Sequence, residues 1–132
     1  MKVFVCVDDS MGTMFNHRRQ SRDRVLCADS VREVRGKLLC TPYTARLLEE
    51  YTALHVSNTP LLDAGQEDSV FVEGEELLPY LDKIDTLVLY RWNRAYAHDS
   101  VLDIPLECFT LISKTDFEGY SHETITKEIY QK

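Results

Sequence analysis

Three short runs in this chain are apolar at every position: Val3-Phe4-Val5-Cys6-Val7, Val70-Phe71-Val72 and Leu87-Val88-Leu89-Tyr90. A strand with one wet face alternates polar and apolar residues, whereas a strand covered on both faces has no polar side to present. Such runs are too short for buried helices, and their β-branched content suits the middle of a sheet. Covering both faces of that sheet requires helices, and the stretches between the runs supply them.

Ser21 is the expected N-cap of a helix reaching about Arg35, with Val25, Leu26, Val31 and Val34 at near-helical spacing and Gly36 closing it. A short strand over 37–40 leads through Thr41-Pro42 into a helix over 43–51 carrying Leu47 and Leu48. A third strand is expected over 53–57, followed by a polar loop over 58–68 that reads as the most mobile segment. The second half gives a strand over 69–72, a turn at Glu73-Gly74, a helix over 75–81 and a strand within 85–92. After a loop over 93–105 come strands over 107–113 and 122–130, joined by a turn over 116–121 with Gly119. The order predicts one α/β domain spanning 1–132: a mainly parallel sheet flanked by helices, closing with a C-terminal antiparallel strand pair.

At 132 residues the chain has room for a real core. No apolar run approaches the roughly 20 residues of a membrane span, and the apolar start is too short for a signal peptide, so a cytoplasmic protein with no membrane partner is expected. Cys6, Cys27, Cys40 and Cys108 are widely separated, with no Cys-x-x-Cys pair and no histidine at metal-finger spacing. They read as reduced structural thiols, and no metal site is expected. A net charge of −7 argues against nucleic acid as a partner, since that needs a basic face.

Against that acidic background Arg18, Arg19, Arg22 and Arg24 fall close together. A guanidinium is a planar fork that pairs with carboxylate or phosphate through two hydrogen bonds, and a free helix N-terminus beside it would add N–H donors. The leading reading is therefore a binder of an anionic small molecule or phosphate group, using Arg18, Arg19, Arg22, Asp23 and Arg91. The competing reading is that these arginines pair internally with acids such as Glu49, Glu50 and Glu73. Asp8-Asp9 ends the first strand, where open α/β sheets place functional residues, but a turn held by carboxylate-to-backbone bonds is the favoured account of it. Trp92 reads as packing, with an arginine on its face. His17 and His98 have suitable acid–base chemistry but no evident nucleophile, and Ser10, Ser21 and Cys6 lack a nucleophile-elbow pattern. An enzyme reading would use Asp9 or Asp23 as acid–base group. A reading from a third class is an interaction or assembly module, a homo-oligomer included, using an exposed sheet edge and the Arg-Trp patch.

The first strand with its following loop, Leu38-Leu39-Cys40-Thr41 before its helix, Val70-Phe71-Val72-Glu73-Gly74-Glu75-Glu76-Leu77-Leu78, and Asp85 to Tyr90 followed by His98-Asp99-Ser100-Val101-Leu102 together resemble a trimmed dihydrofolate reductase-like fold. The resemblance implies that the Val70 segment corresponds to the family's pyrophosphate-holding strand, turn and helix. Here Glu73, Glu75 and Glu76 occupy that position and would repel a dinucleotide, so no NADPH or other cofactor is expected. The run from Phe15 to Leu26, with Leu89-Tyr90-Arg91-Trp92-Asn93-Arg94, also resembles small bacterial proteins often labelled ribonuclease Z. That label implies a nucleotide or RNA hydrolase. Authentic enzymes of that name carry a His-x-His-x-Asp-His cluster for two metals, and His17, His55, His98 and His122 are isolated in this sequence.

Overall fold

The computed structural model describes residues 1–132. The three apolar runs lie inside one seven-stranded sheet. Strand β1 (Lys2–Val7) is at its middle. A side sheet follows immediately, with β2 (Gly12–Phe15) and β3 (Arg18–Arg19). Next come α1 (Arg24–Arg32), β4 (Leu38–Cys40), α2 (Pro42–Leu48), β5 (His55–Val56) and the single-turn α3 (Pro60–Asp63). Strand β6 (Ser69–Phe71) precedes a 3-10 helix over Leu78–Lys83 and β7 (Thr86–Arg91). The chain ends with β8 (Ser100–Val101), a 3-10 turn at Leu106–Cys108, β9 (Thr110–Phe117) and β10 (Ile125–Gln131).

The main sheet has the order β5-β4-β6-β1-β7-β10-β9. Its first five strands run parallel, β10 runs antiparallel to β7, and β9 antiparallel to β10. The expected mainly parallel sheet with a C-terminal antiparallel pair is present.

Alternation sorts each central strand between two cores. Val3, Val5, Val7, Leu87 and Leu89 face one side with Leu61, Leu77 and Ile84. Phe4, Val88 and Tyr90 face the other with Leu26 and Cys27 of α1 and Leu48 of α2. Each such buried aliphatic or aromatic side chain contributes about 1.5–3 kcal/mol relative to leaving it exposed. Removing both faces from water is what an uninterrupted apolar run permits.

Several boundaries differ from the sequence expectation, each for a local reason. Helix α1 begins at Arg24 because Asp23, not Ser21, is its N-cap: Oδ1 accepts from the N–H groups of Val25 and Leu26 at 2.9 and 3.2 Å. The helix expected over 75–81 is replaced by the later 3-10 helix. Gly74 takes φ +90°, and the N–H groups of Leu77 and Leu78 bond to the distant Asp103 carboxylate at 3.0 Å instead of leading into an α-helix. The segment over 58–68, read as a mobile polar loop, contains α3 and buries Leu61 and Ala64 in the first core. The final strands fall about three residues late because 106–108 forms a 3-10 turn and 120–122 is drawn to Asp23. The three-stranded side sheet β3-β2-β8 has no counterpart in the sequence reading.

Candidate functional site

A narrow cleft of about 20 Å³, room for about one water, opens beside the central strands, between α1 and α2. Val5, Leu26, Leu47, Phe71 and Trp92 supply apolar wall, and Ser21, Arg22, Asp23, Arg19 and Glu73 supply its polar part. The cleft continues outward into a groove of about 320 Å³, sharing Arg22, Asp23, Cys27 and Leu47 with it. Arg22, Arg24 and Arg46 line that groove together with Glu50, Tyr51 and Tyr120.

The predicted arginines divide into two sets. Arg19 is committed to Glu73 by two hydrogen bonds, from Nε to Oε2 at 2.7 Å and from Nη2 to Oε1 at 2.8 Å, and lies over the Tyr43 ring at 4.3 Å. Glu73 is one of the acids named as an internal partner from sequence. Arg91 pairs with Glu128 at 2.9 Å, away from the cleft. Arg18 is exposed on β3, whereas Arg22 reaches the cleft and its groove. The arginines in ion pairs are Arg19, Arg32, Arg35 and Arg91, which leaves Arg18, Arg22, Arg24, Arg46 and Arg94 without a carboxylate partner, and of these Arg22, Arg24 and Arg46 line the groove. Arg24 is held over the Tyr120 ring at 4.5 Å.

Asp23 is buried, and both its oxygens are occupied. Oδ1 also accepts from the Tyr120 N–H at 3.0 Å, and Oδ2 accepts from the Ser121 N–H at 2.9 Å and from His122 Nδ1 at 2.8 Å. Burial pushes its carboxyl upward, but His122 and the main-chain donors outweigh that and hold it well below the usual carboxylate range. An ionised carboxylate is acceptor-only, so the contact places a proton on His122 Nδ1, and Nε2 lies 2.9 Å from Ser21 Oγ. Tyr96 Oη is 3.4 Å from the same nitrogen. Trp92 stacks on the imidazole with ring centroids 4.7 Å apart, so its partner is a histidine and not the arginine expected from sequence.

Asp9 is exposed, while its neighbour Asp8 is buried in the turn. Asp8 Oδ1 accepts from the N–H groups of Ser10 and Gly12, and Oδ2 meets Gln20 Nε2 at 2.8 Å and His98 Nδ1 at 3.0 Å. This is the carboxylate-to-backbone turn that the sequence admitted. The thiols of Cys6 and Cys27 line the cleft, but burial pushes both up, Cys27 to about 11, so they remain protonated near neutrality. A separate opening is lined by Glu73, Gly74, Glu75, Asp99, His17 and Thr41, among others, with no lysine or arginine. No group of three or more His, Cys, Asp or Glu side chains gathers at metal-holding geometry.

No protein-family model matches the sequence, and neither does any curated protein. A solved structure does match: dihydrofolate reductase from Enterococcus faecalis, complexed with NADP(H) and RAB-propyl, superposes with a TM-score of 0.69. The superposition covers 98% of this chain and 94% of that one, at 9% sequence identity. The fold is dihydrofolate reductase-like. At that identity the likeness concerns the path of the backbone.

Arg22 and Asp23 are legible in the sequence as site residues, whereas Arg46, Ser21 as a cleft residue, and His122 are not. Asp23 three residues before Leu26 is as good a cap signal as Ser21, and would have placed the helix start correctly. Nothing local in the sequence joins His122 to Asp23, 99 positions away.

Proposed function

We propose that this chain binds a small anionic molecule in the outer groove, with its negative group on Arg22, Arg24 and Arg46. The observation that carries this reading is the convergence of three guanidinium groups without carboxylate partners at the mouth of a partly apolar cleft. Guanidinium binds phosphate or carboxylate through paired, charge-assisted hydrogen bonds. Arg18, Arg19 and Arg91, expected from the sequence to share this role, are not part of it. NADP(H), present in the Enterococcus complex, is not proposed as a ligand, because Glu73, Glu75 and Asp99 line the acidic opening beside the β6 turn.

A thermal-shift series with inorganic phosphate, nucleoside monophosphates and folates at low ionic strength tests the reading. At least one anion is expected to raise the melting temperature in a concentration-dependent way, by about 2.7 kcal/mol of linkage at a hundredfold excess over its Kd. The effect should weaken with added salt. Arg24→Ala/Arg46→Ala should weaken that binding by about tenfold or more, given about 1.5–3 kcal/mol for each charged hydrogen bond lost. An absent shift across the panel, or an unchanged one in the double variant, overturns the assignment.

A further inference from the structure

Ser21, His122 and Asp23 form a hydrogen-bonded chain with defined direction. Ser21 Oγ lies 2.9 Å from His122 Nε2 and His122 Nδ1 lies 2.8 Å from Asp23 Oδ2, so a neutral imidazole protonated on Nδ1 leaves Nε2 to accept from the serine hydroxyl. The three side chains come from the loop before α1, its N-cap and the β9–β10 turn. His122 and Asp23 are buried, with side chains 3% and 0% exposed, while Ser21 lines the cleft. A nucleophile facing a cavity, a base behind it and a buried carboxylate orienting that base is the arrangement that activates a serine.

We infer that Ser21 is the nucleophile of an acyl-transfer site acting on small carboxylic esters, with His122 as general base and Asp23 as a positioning residue. The inference shares Arg22 with the arginine groove but does not depend on that groove binding an anion.

The recess beside Ser21 is small and walled by Val5, Leu26 and Phe71, which suits a short apolar acyl group. Ser21 Oγ attacks the ester carbonyl carbon and forms the new C–O bond, and its proton passes to His122 Nε2. The carbonyl oxygen takes the negative charge. Arg22, which lines the cleft with Ser21, brings positive charge to that locus. Collapse of the adduct breaks the bond to the alkoxy group, which leaves as the alcohol with the proton from His122. Water then attacks the acyl-Ser21 ester, giving a proton to His122 and releasing the acid as Ser21 recovers its own. The sum is ester and water to acid and alcohol.

Asp23 and the ring stacking of Trp92 fix the imidazole in one tautomer and one plane, so Nε2 stays directed at Ser21 throughout. The buried thiols nearby do not compete as nucleophiles, since both stay protonated.

The test treats the full chain with a fluorophosphonate, locates the adduct by peptide mass mapping, and follows hydrolysis of p-nitrophenyl butyrate. The expected result is one adduct on Ser21 and measurable turnover. In Ser21→Ala the adduct is absent and turnover falls by about 100-fold or more. An adduct on another residue, no adduct at all, or equal turnover in Ser21→Ala overturns the inference. The wild-type peptide map decides the matter even if the variant folds poorly.

Discussion

Asp23 carries more of this structure than any other single polar residue. Its carboxylate accepts the first N–H groups of α1, the N–H groups of Tyr120 and Ser121, and the Nδ1–H of His122, so one charge holds a helix start and a strand turn together. A carboxyl whose acidity is strengthened by folding stabilises the native state above its unfolded value near 3.9, and that stability is lost as pH falls toward the folded value. Asp8, opposed by burial but held down by the N–H groups of Gly12 and Ser10, by Gln20 and by His98, acts in the same direction. Urea midpoints should therefore be flat from neutrality to about pH 5 and drop steeply below about pH 4. Asp23→Asn should shrink that acid-side drop. A variant whose drop matched the wild type would show that Asp23 is not its source.

At the scale of elements, the β9–β10 turn depends on a close approach. A Cβ built on Gly119 would sit 2.7 Å from Asp23 Oδ2 and 3.0 Å from both the His122 carbonyl oxygen and Ile125 Cδ1. The carboxylate cannot retreat, because its oxygens are already bonded to main-chain donors. Gly119→Ala is expected to destabilise the protein by about 1–3 kcal/mol through this overpacking, measured by denaturant unfolding. An unchanged midpoint would mean that the turn can move away from α1. The shifted starts of α1 and β10 have the same origin. Local spacing marks where apolar residues recur, but caps and turn residues are chosen by partners that the fold brings in from elsewhere.

For the whole molecule, protection should follow the sheet order. Strands β1 and β7 lie side by side between two apolar cores, whereas β5 is exposed at one edge and β9 is largely exposed at the other. Amide exchange of β1 and β7 is expected to require global unfolding, with β5 and β9 exchanging at least about 100-fold faster through local opening. Protection of β9 equal to that of β1 would contradict an open edge there.

What the sequence determined by itself was the centre of the sheet and its mainly parallel sense. Val3–Val7, Val70–Val72 and Leu87–Tyr90 are apolar without interruption, and only burial on both faces accommodates that. The excess of arginine before α1 was visible too, as was Glu73 as a partner for one of them. Which arginines stay free, and which histidine meets Asp23, was decided by the tertiary structure alone. Arg46 reaches the groove because α2 packs beside α1, and His122 reaches Asp23 across 99 positions because β10 returns antiparallel to β7. Burial preference is a property each segment carries along its own length, whereas a charge or a hydrogen bond is satisfied only by whatever the folded chain places within about 3 Å.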